Sequence, residues 1–329
     1  MKYDYIIFIN RFQPFHLGHK KVIKEALAQA KNVILLVASS YTPRAINNPW
    51  SFKERKKFIR SSFTKKENKN IIIYPLKDHL YKELSWIRSI QKVVKNITKK
   101  IPNPKIALLT HKKSSYAKYF PTCQKIETLE YFITSKEIRE AYFEDKEYKK
   151  YLPKKVAWFL EEFKNSKEYK ILKQEYLFIK EYKKKWECAP YEPIFVTVDA
   201  IVIQAGHLLL IKRKNYPGKG VMAFAGGFVE PNEKLEDAML RELKEETKID
   251  VSKALLRQSI TKNRVFDDPN RSLRGRIITH AYVIELRGNK LAKIKGADDA
   301  KEAKWVALAD IKSQNMFEDH YYILEAMLL

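Results

Sequence analysis

The stretch that most narrows the choice of fold lies at the start of the chain. Tyr3-Asp4-Tyr5-Ile6-Ile7-Phe8-Ile9 is followed at once by NRFQPFHLGH, residues 10 to 19. An apolar run of this length reads as a strand buried on both faces. Val22, Ile23, Ala26, Leu27 and Ala30 then recur at helical spacing, and Val33-Ile34-Leu35-Leu36-Val37-Ala38 forms a second buried run. Strand, short helix, strand is the βαβ pattern, which sets the strands parallel with helices on both faces. Ile71-Ile72-Ile73-Tyr74, the helical stretch from Trp86 to Val94, and Ile106-Ala107-Leu108-Leu109 continue it. Residues 1–150 are therefore expected to form a doubly wound α/β domain with a parallel sheet.

The chain has 329 residues, which favours a second domain. Between Pro153 and Trp186 lysine, glutamate and aromatics predominate without glycine, predicting one or two amphipathic helices in a linker over 151–192 that Pro190 and Pro193 close. The texture then turns to β. Phe195-Val196-Thr197-Val198 and Leu208-Leu209-Leu210-Ile211 flank a turn at Gly206. A helix from Lys234 to Thr247 and strands at Ile277–Leu286 and Lys304–Val306 complete an α+β domain with a mixed sheet over 193–329.

The formal net charge is +25, but the lysines are spread along the chain and alternate with glutamates. That distribution suits first a lysine-rich but functionally neutral surface and second one that steers anionic nucleotides, and nucleic acid is disfavoured as a partner because the lysines are not gathered into one stripe. No apolar run is long enough to cross a bilayer, so no membrane partner is expected, and the first residues lack signal-peptide features. Cys123 and Cys188, the two cysteines, stand far apart, so neither a disulfide nor zinc is expected. A cytoplasmic location follows as an expectation, and a homo-oligomer is allowed.

Neither common glycine-rich nucleotide fingerprint is present. In their place His16-Leu17-Gly18-His19 stands at the mouth of the first helix. Free N–H groups and the helix dipole favour phosphate there, and histidines three apart can face one ligand. Gly18 admits close approach to the backbone. With Arg11, such donors can stabilise charge building on a pentavalent phosphorus. The plainer reading is one capping and one surface histidine.

These residues resemble a family. The pattern [G/N]-R-F-x-P-x-H-x-G-H is similar to the signature of nucleotidylyltransferases, in particular the archaeal-type nicotinamide-nucleotide adenylyltransferases, with Asn10 where glycine is frequent. Asn48-Pro49-Trp50-Ser51-Phe52-Lys53-Glu54-Arg55 resembles the family's N-P-[FW]…E-R segment. Asp78 through Tyr81 to Trp86 resembles Y-N-D-x-x-W, with Lys82 and Glu83 in place of Asn and Asp. His111 to Tyr116 with Phe120-Pro121 is a further match, and Ile133-Thr134-Ser135-Lys136-Glu137-Ile138-Arg139 resembles the closing I-S-x-T-x-I-R motif. Thr134 and Lys136 replace its Ser and Thr. The resemblance implies transfer of AMP from ATP to nicotinamide mononucleotide, giving NAD and pyrophosphate with Mg²⁺; nicotinate mononucleotide is not separated from nicotinamide. It implies His16, His19 and Arg139 in catalysis and Asn10, Arg11, Phe12, Gly18, Trp86 and Ser135 in substrate binding, although Trp86 also suits a core.

A second constellation runs from Gly227 to Ile249, GFVEPNEKLEDAMLRELKEETKI. Glu242, Glu245 and Glu246 lie at i, i+3 and i+4, spanning an arc of about 100° beside the apolar stripe of Leu235, Met239 and Leu243. Carboxylates so placed repel unless a cation neutralises them, which suggests Mg²⁺ or Mn²⁺ rather than a solvated acidic face. Arg241 can pair with Glu245 or Glu233. The spacing resembles the Nudix box, G-x5-E-x7-R-E-U-x-E-E-x-G-U, matched by Gly227, Glu233, Arg241, Glu242, Leu243, Glu245, Glu246 and Ile249. Lys248 stands where glycine is usual, at the helix exit, and Ala225 where proline is common.

Nudix enzymes hydrolyse diphosphates linked to another moiety. The resemblance implies Glu233, Arg241 and Glu245 in catalysis and Glu242, Glu245 and Glu246 as metal ligands. Val265 to Arg276 with Thr279-His280 resembles the segment of Nudix domains that handle ADP-ribose, so Arg271, Arg274 and Arg276, with Gly227, are expected at the substrate. A plain basic hairpin is the alternative. Asp298, Asp299 and Glu302, in an expected loop, are candidates for a further base. The whole is similar to bifunctional nicotinamide-nucleotide adenylyltransferase/Nudix hydrolases. The alternative is an ADP-ribose-sensing or nucleic-acid-binding protein carrying an adenylyltransferase domain; the intact box and the short stretch after Val306 speak against a DNA-binding regulator.

Overall fold

The structure, a computed structural model, describes residues 1–110, 120, 123–127, 133–297 and 300–328. It divides into two compact units, Met1–Lys173 and Gln174–Leu329. His111–Tyr116, Pro121, Asp298 and Asp299 lie outside the described residues.

The first unit runs β1 (Tyr3–Asn10), α1 (Leu17–Gln29), β2 (Ala30–Val37), α2 (Phe52–Ser61), α3 (Lys65–Lys69), β3 (Ile71–Pro75), α4 (Glu83–Thr98), β4 (Ile106–Thr110), β5 (Gln124–Glu127), α5 (Ser135–Phe143) and α6 (Lys154–Lys164); α7 (Lys167–Lys184) carries the division between units. The sheet has the order β3-β2-β1-β4-β5, every pairing parallel. Both faces are covered. Tyr5, Ile7, Ile9, Ile34, Leu36 and Leu108 pack with Ile87, Ile90 and Val94 of α4, while Ile6, Phe8, Val33 and Leu35 are buried on the other side. Helix α1 buries Val22, Ile23 and Ala26 but stops at Gln29. Ala30 already pairs with Tyr3 in the sheet, so the helical spacing ends one residue sooner than the apolar pattern suggests. The chain winds outward from β1 to β3 and returns to β4 on the other side. That reversal between β1 and β4 opens a crevice beyond the carboxyl ends of the strands, where the NRFQPFHLGH turn sits.

The second unit contains β6 (Ile194–Gln204), β7 (His207–Arg213), β8 (Met222–Ala223), β9 (Ala225–Phe228), α8 (Leu235–Thr247), α9 (Lys253–Gln258), β10 (Ile260–Phe266), β11 (Arg276–Leu286), β12 (Ala300–Ala307) and α10 (His320–Leu328). Its mixed sheet has the order β10-β11-β6-β7-β12; β6 and β11 run parallel, and β8 and β9 pair with β7 and β6. Ala205 and Gly206, at φ 45° and 73°, make the tight turn between β6 and β7. Helix α8 lays Ala238, Met239, Leu240 and Leu243 onto Val198, Ala200, Val202 and Leu209. Glu302, expected in a loop, lies on β12 opposite Lys212, just after a register shift that lets the strand start at Ala300. Strand β10 escapes a reading by pattern because ITKNRVF is mostly exposed, and β9, AGGF, because two of its four residues are glycine.

Helix α8 ends on Lys248 at φ 44° and ψ 34°, the left-handed conformation in which glycine is usual. A side chain there carries strain of about 1–2 kcal/mol, partly offset in Lys248→Gly by the greater freedom of glycine in the unfolded chain. Lys248→Gly is expected to stabilise the second unit by about 0.5–1 kcal/mol. A rise in the melting temperature of the full chain by calorimetry checks it.

Candidate active sites

His16 is the N-cap of α1 and His19 lies one turn in. Their rings stack with centroids 3.7 Å apart, and the His16 N–H donates to His19 Nδ1 at 3.4 Å. An Nδ1 that accepts leaves Nε2 as the protonated nitrogen of the neutral ring, a donor for a ligand. Phe12 and Phe15 wall the His19 ring at 4.9 and 5.7 Å. Burial pulls the His16 pKa down to about 4, so it is neutral at pH 7, and its buried Nδ1 has no partner among the described residues. Gly18 is the second residue of α1.

Two buried arginines shape the turn. Arg55 is fully buried and donates to the carbonyls of Arg11 (2.6 Å), Ala38 (2.7 Å) and Ser39 (2.9 Å), stapling the turn after β1 to the one after β2. Arg139 donates to Gln13 O and, at 3.0 Å, to Ser135 O, while Ser135 Oγ donates to Pro14 O at 3.3 Å. Burial, and the like charge of Arg11, bring the Arg139 pKa down to about 10. Arg11 and Arg139 thus repel one another, Asp78 facing Arg11 and Glu140 facing Arg139 as the compensating charges. Such a site favours an anion. The Gln13 side chain donates to Trp50 O at 2.7 Å and accepts from Trp50 N at 3.1 Å, so Asn48-Pro49-Trp50 is scaffold for the turn.

Several placements differ from the sequence-based expectation. Asn10 Oδ1 accepts from Phe12 N at 3.3 Å, so Asn10 supports the turn that holds Phe12 at φ 53°. Phe12, expected at substrate, has its ring sealed in the aromatic cluster. Trp86 packs against the core of the sheet while staying half-buried. At α5, Thr134 and Glu137 cap each other: Thr134 Oγ1 accepts from Glu137 N at 3.2 Å and Glu137 Oε2 from Thr134 N at 2.6 Å. The replacement of serine by Thr134 therefore preserves a cap.

In the second unit Arg241 gathers the box. It meets Glu233 through two bonds, Nε to Oε2 at 3.0 Å and Nη2 to Oε1 at 2.6 Å, and its Nη1 reaches Glu242 at 2.8 Å and Glu245 at 3.1 Å. Glu233 chiefly, with Glu242 and Glu245, raises the Arg241 pKa. Glu246 is buried and accepts from Gly226 N at 2.9 Å. Gly227 lets the Glu242 carboxylate lie against the backbone, since a Cβ there would fall 2.3 Å from Glu242 Oε1 and push that carboxylate aside. Burial raises the Glu242 carboxyl pKa against the pull of Arg241. Among the described residues no three such side chains already converge as an ion cage. The donor set nevertheless fits a hard divalent cation: three carboxylates share one guanidinium, a fourth, Glu246, is held by the Gly226 N–H, and Glu242 is partly desolvated.

The three arginines of the 265–276 segment part ways. Arg271 is committed to Asp319 by two bonds of 2.9 Å in the interior, which corrects its expected place at the substrate. Arg276 donates to Asp267 O. Arg274 sits 5.4 Å from the Phe228 ring centroid. Behind the box, Phe224 N donates to His320 Nδ1 at 3.1 Å, and the buried Asp199 accepts from Thr279 Oγ1 at 2.6 Å; of these residues only Thr279 belongs to a motif in the sequence.

Comparison with known proteins agrees with this geometry. Residues 7–139 match the cytidylyltransferase-like family and residues 193–327 the NUDIX domain family. Fold and sites together define a nucleotidyltransferase joined to a Nudix hydrolase. The structure of a bifunctional NMN adenylyltransferase/ADP ribose pyrophosphatase from Francisella tularensis, complexed with AMP and a manganese ion, superposes with a TM-score of 0.94 at 36% identity, covering 99% of this chain and 98% of that one. A nicotinamide/nicotinic acid mononucleotide adenylyltransferase of Acinetobacter baylyi is 34% identical over 53% of this chain and 94% of its own length. An ADP-ribose pyrophosphatase of Methanocaldococcus jannaschii is 42% identical over 35% of this chain and 63% of its own. The chain belongs to the family of bifunctional NMN adenylyltransferase/ADP-ribose pyrophosphatases.

Two outcomes follow from the geometry. Gly227→Ala forces Glu242 aside and is expected to lower diphosphate hydrolysis more than about tenfold while adenylyl transfer persists, by parallel assays of one preparation. Because the folded His16 pKa lies below the ordinary 6.5, the unfolded chain binds the proton first as pH falls. Stability is then lost between about pH 6.5 and pH 4, by at most roughly 3 kcal/mol from this group. Denaturant unfolding at pH 7 and 4.5 should show a smaller pH effect in His16→Gln.

Proposed function

We infer that this chain carries out two reactions on pyridine nucleotides. In the first unit, a phosphate oxygen of nicotinamide mononucleotide attacks the α-phosphorus of ATP. The new P–O–P bond makes NAD as the bond to the β-phosphate breaks and pyrophosphate leaves. His16, His19, Arg11 and Arg139 would hold the phosphate oxygens as charge builds, and Ser135 would lie beside them. The observation that carries this reading is the pair of stacked imidazoles at a helix N-terminus, that of His16 neutral, beside two mutually repelling arginines. No protein nucleophile is needed; the site works by positioning and charge. A magnesium ion accompanying ATP would neutralise the pyrophosphate oxygens.

In the second unit, water adds to one phosphorus of ADP-ribose and the P–O–P bond breaks, giving AMP and ribose 5-phosphate. Glu242, Glu245 and Glu246 would hold Mg²⁺ or Mn²⁺, which supplies polarisation of the diphosphate and an acidified water. Glu233 orients Arg241, which in turn aligns Glu242 and Glu245. Support for hydrolysis over mere sensing of ADP-ribose is that every carboxylate of the box is present, Glu233, Glu242 and Glu245 set around Arg241 and Glu246 held by the Gly226 N–H. A cytoplasmic location is proposed; among the described residues no helix is long and apolar enough to cross a membrane, and neither Cys123 nor Cys188 is in a disulfide.

The test incubates the protein with nicotinamide mononucleotide, ATP and Mg²⁺, and separately with ADP-ribose, and resolves products by chromatography. NAD with pyrophosphate is expected from the first mixture, and AMP with ribose 5-phosphate from the second. His19→Ala should lower only the first reaction, by about 100- to 1000-fold. Glu245→Gln should lower only the second. Loss of both reactions in either variant would refute the assignment of separate sites.

A further inference from the structure

The segments 271–276 and 316–320 meet twice, and the two meetings differ. Arg271 and Asp319 close completely, with two bonds of 2.9 Å and side chains each 3% exposed. Arg274 and Glu318 do not: their nearest nitrogen and oxygen stand 4.0 Å apart, beyond hydrogen-bond reach, although the side chains are only 13% and 12% exposed. The Glu318 carboxylate accepts one hydrogen bond, from Ser272 Oγ at 2.8 Å, and the Arg274 side chain donates only from Nε, at 3.4 Å, to that same hydroxyl. Arg274 Nη1 and Nη2 have no acceptor among the described residues. Charged groups this deep are ordinarily saturated with hydrogen bonds. Both side chains nevertheless keep some exposure to solvent, unlike the sealed pair beside them.

The surroundings suit a nucleotide. The Arg274 guanidinium faces the Phe228 ring at 5.4 Å and the Phe317 ring at 5.9 Å. Phe228 directly follows Gly227, which lies against Glu242, and its carbonyl accepts from Arg241 at 3.2 Å. The ring that Arg274 faces is thus one residue along the chain from the carboxylate cluster. Glu318 is held at φ 40°, a conformation a glutamate adopts only at a cost. A carboxylate beside a guanidinium discriminates by charge. An ammonium would be repelled by Arg274 and a second phosphate by Glu318, whereas neutral hydroxyls next to one phosphate satisfy both.

We propose that Glu318, Ser272 and Arg274 form a ribose-phosphate subsite, in which the Glu318 carboxylate accepts hydrogen bonds from the cis-diol of a ribose and Arg274 donates to the adjoining phosphate. The proposal rests on ADP-ribose being the substrate of the second unit, and it makes Glu318 a specificity-determining residue.

The experiment measures kcat/KM of the full-length protein on ADP-ribose and on two analogues, one lacking the 2-hydroxyl of the adenosine ribose and one lacking that of the terminal ribose. The wild-type protein should prefer ADP-ribose over one analogue by about tenfold or more, which also identifies the ribose bound. Glu318→Gln should lower kcat/KM on ADP-ribose by about 10- to 100-fold and shrink that preference to within about threefold. Equal wild-type values on all three substrates would overturn the subsite without touching the reaction, and this arm needs no variant. A Glu318→Gln protein slowed equally on all three, or on none, would overturn the role of Glu318. Absence of any wild-type hydrolysis of ADP-ribose would remove the reaction itself, and the subsite with it.

Discussion

Burying a guanidinium costs several kcal/mol unless its donors find acceptors. In the first unit Arg55 meets that requirement with the main-chain oxygens of Arg11, Ala38, Ser39 and Ser51, and Arg139 with two more. Among the described residues neither arginine has a carboxylate as its bonded partner, so the positive charge is solvated chiefly by peptide dipoles. Everything else at the mouth of the parallel sheet depends on this. The turn after β1 is held in place by the cations, and the cations remain available as a field for phosphate.

The second unit inverts the arrangement. There carboxylates are in excess, gathered by one arginine and one main-chain N–H, and the deficit is of positive charge. A nucleoside diphosphate with its divalent cation brings both signs at once. The two inferred reactions fit this pairing: one makes a diphosphate linkage where cations await phosphate, the other breaks one where anions await metal. The overall +25 favours anionic nucleotides at a distance, but the local balance at each site is set by a few buried groups.

Much of this was legible in the sequence. Buried parallel strands declare themselves by unbroken apolar runs, and β1, β2, β3 and β4 fall where those runs lie. The carboxylates of α8 were legible because helical spacing brings i, i+3 and i+4 together. What stayed hidden depends on contacts between distant residues. Arg271 and Arg274 look alike in sequence, and only the segment after Met316 separates them, closing on one and leaving the other open. The burial of the Phe12 ring is hidden for a similar reason: adjacency to functional residues in the chain says nothing about which way a ring turns at a left-handed backbone position. His320 and Asp199 gave no signal, since a lone buried histidine or aspartate has no period.

Gln13 occupies a position that the family pattern leaves blank, the x of R-F-x-P. In this chain the letter is constrained, because its amide both gives a hydrogen bond to Trp50 and receives one from it. An aspartate, glutamate or aliphatic residue can do only one of these, or neither. The blank in the pattern thus conceals a chemical requirement: a neutral amide, able to give and to accept at once, ties the turn after β1 to the main chain at Trp50, and that tie asks nothing of the side chain at position 50.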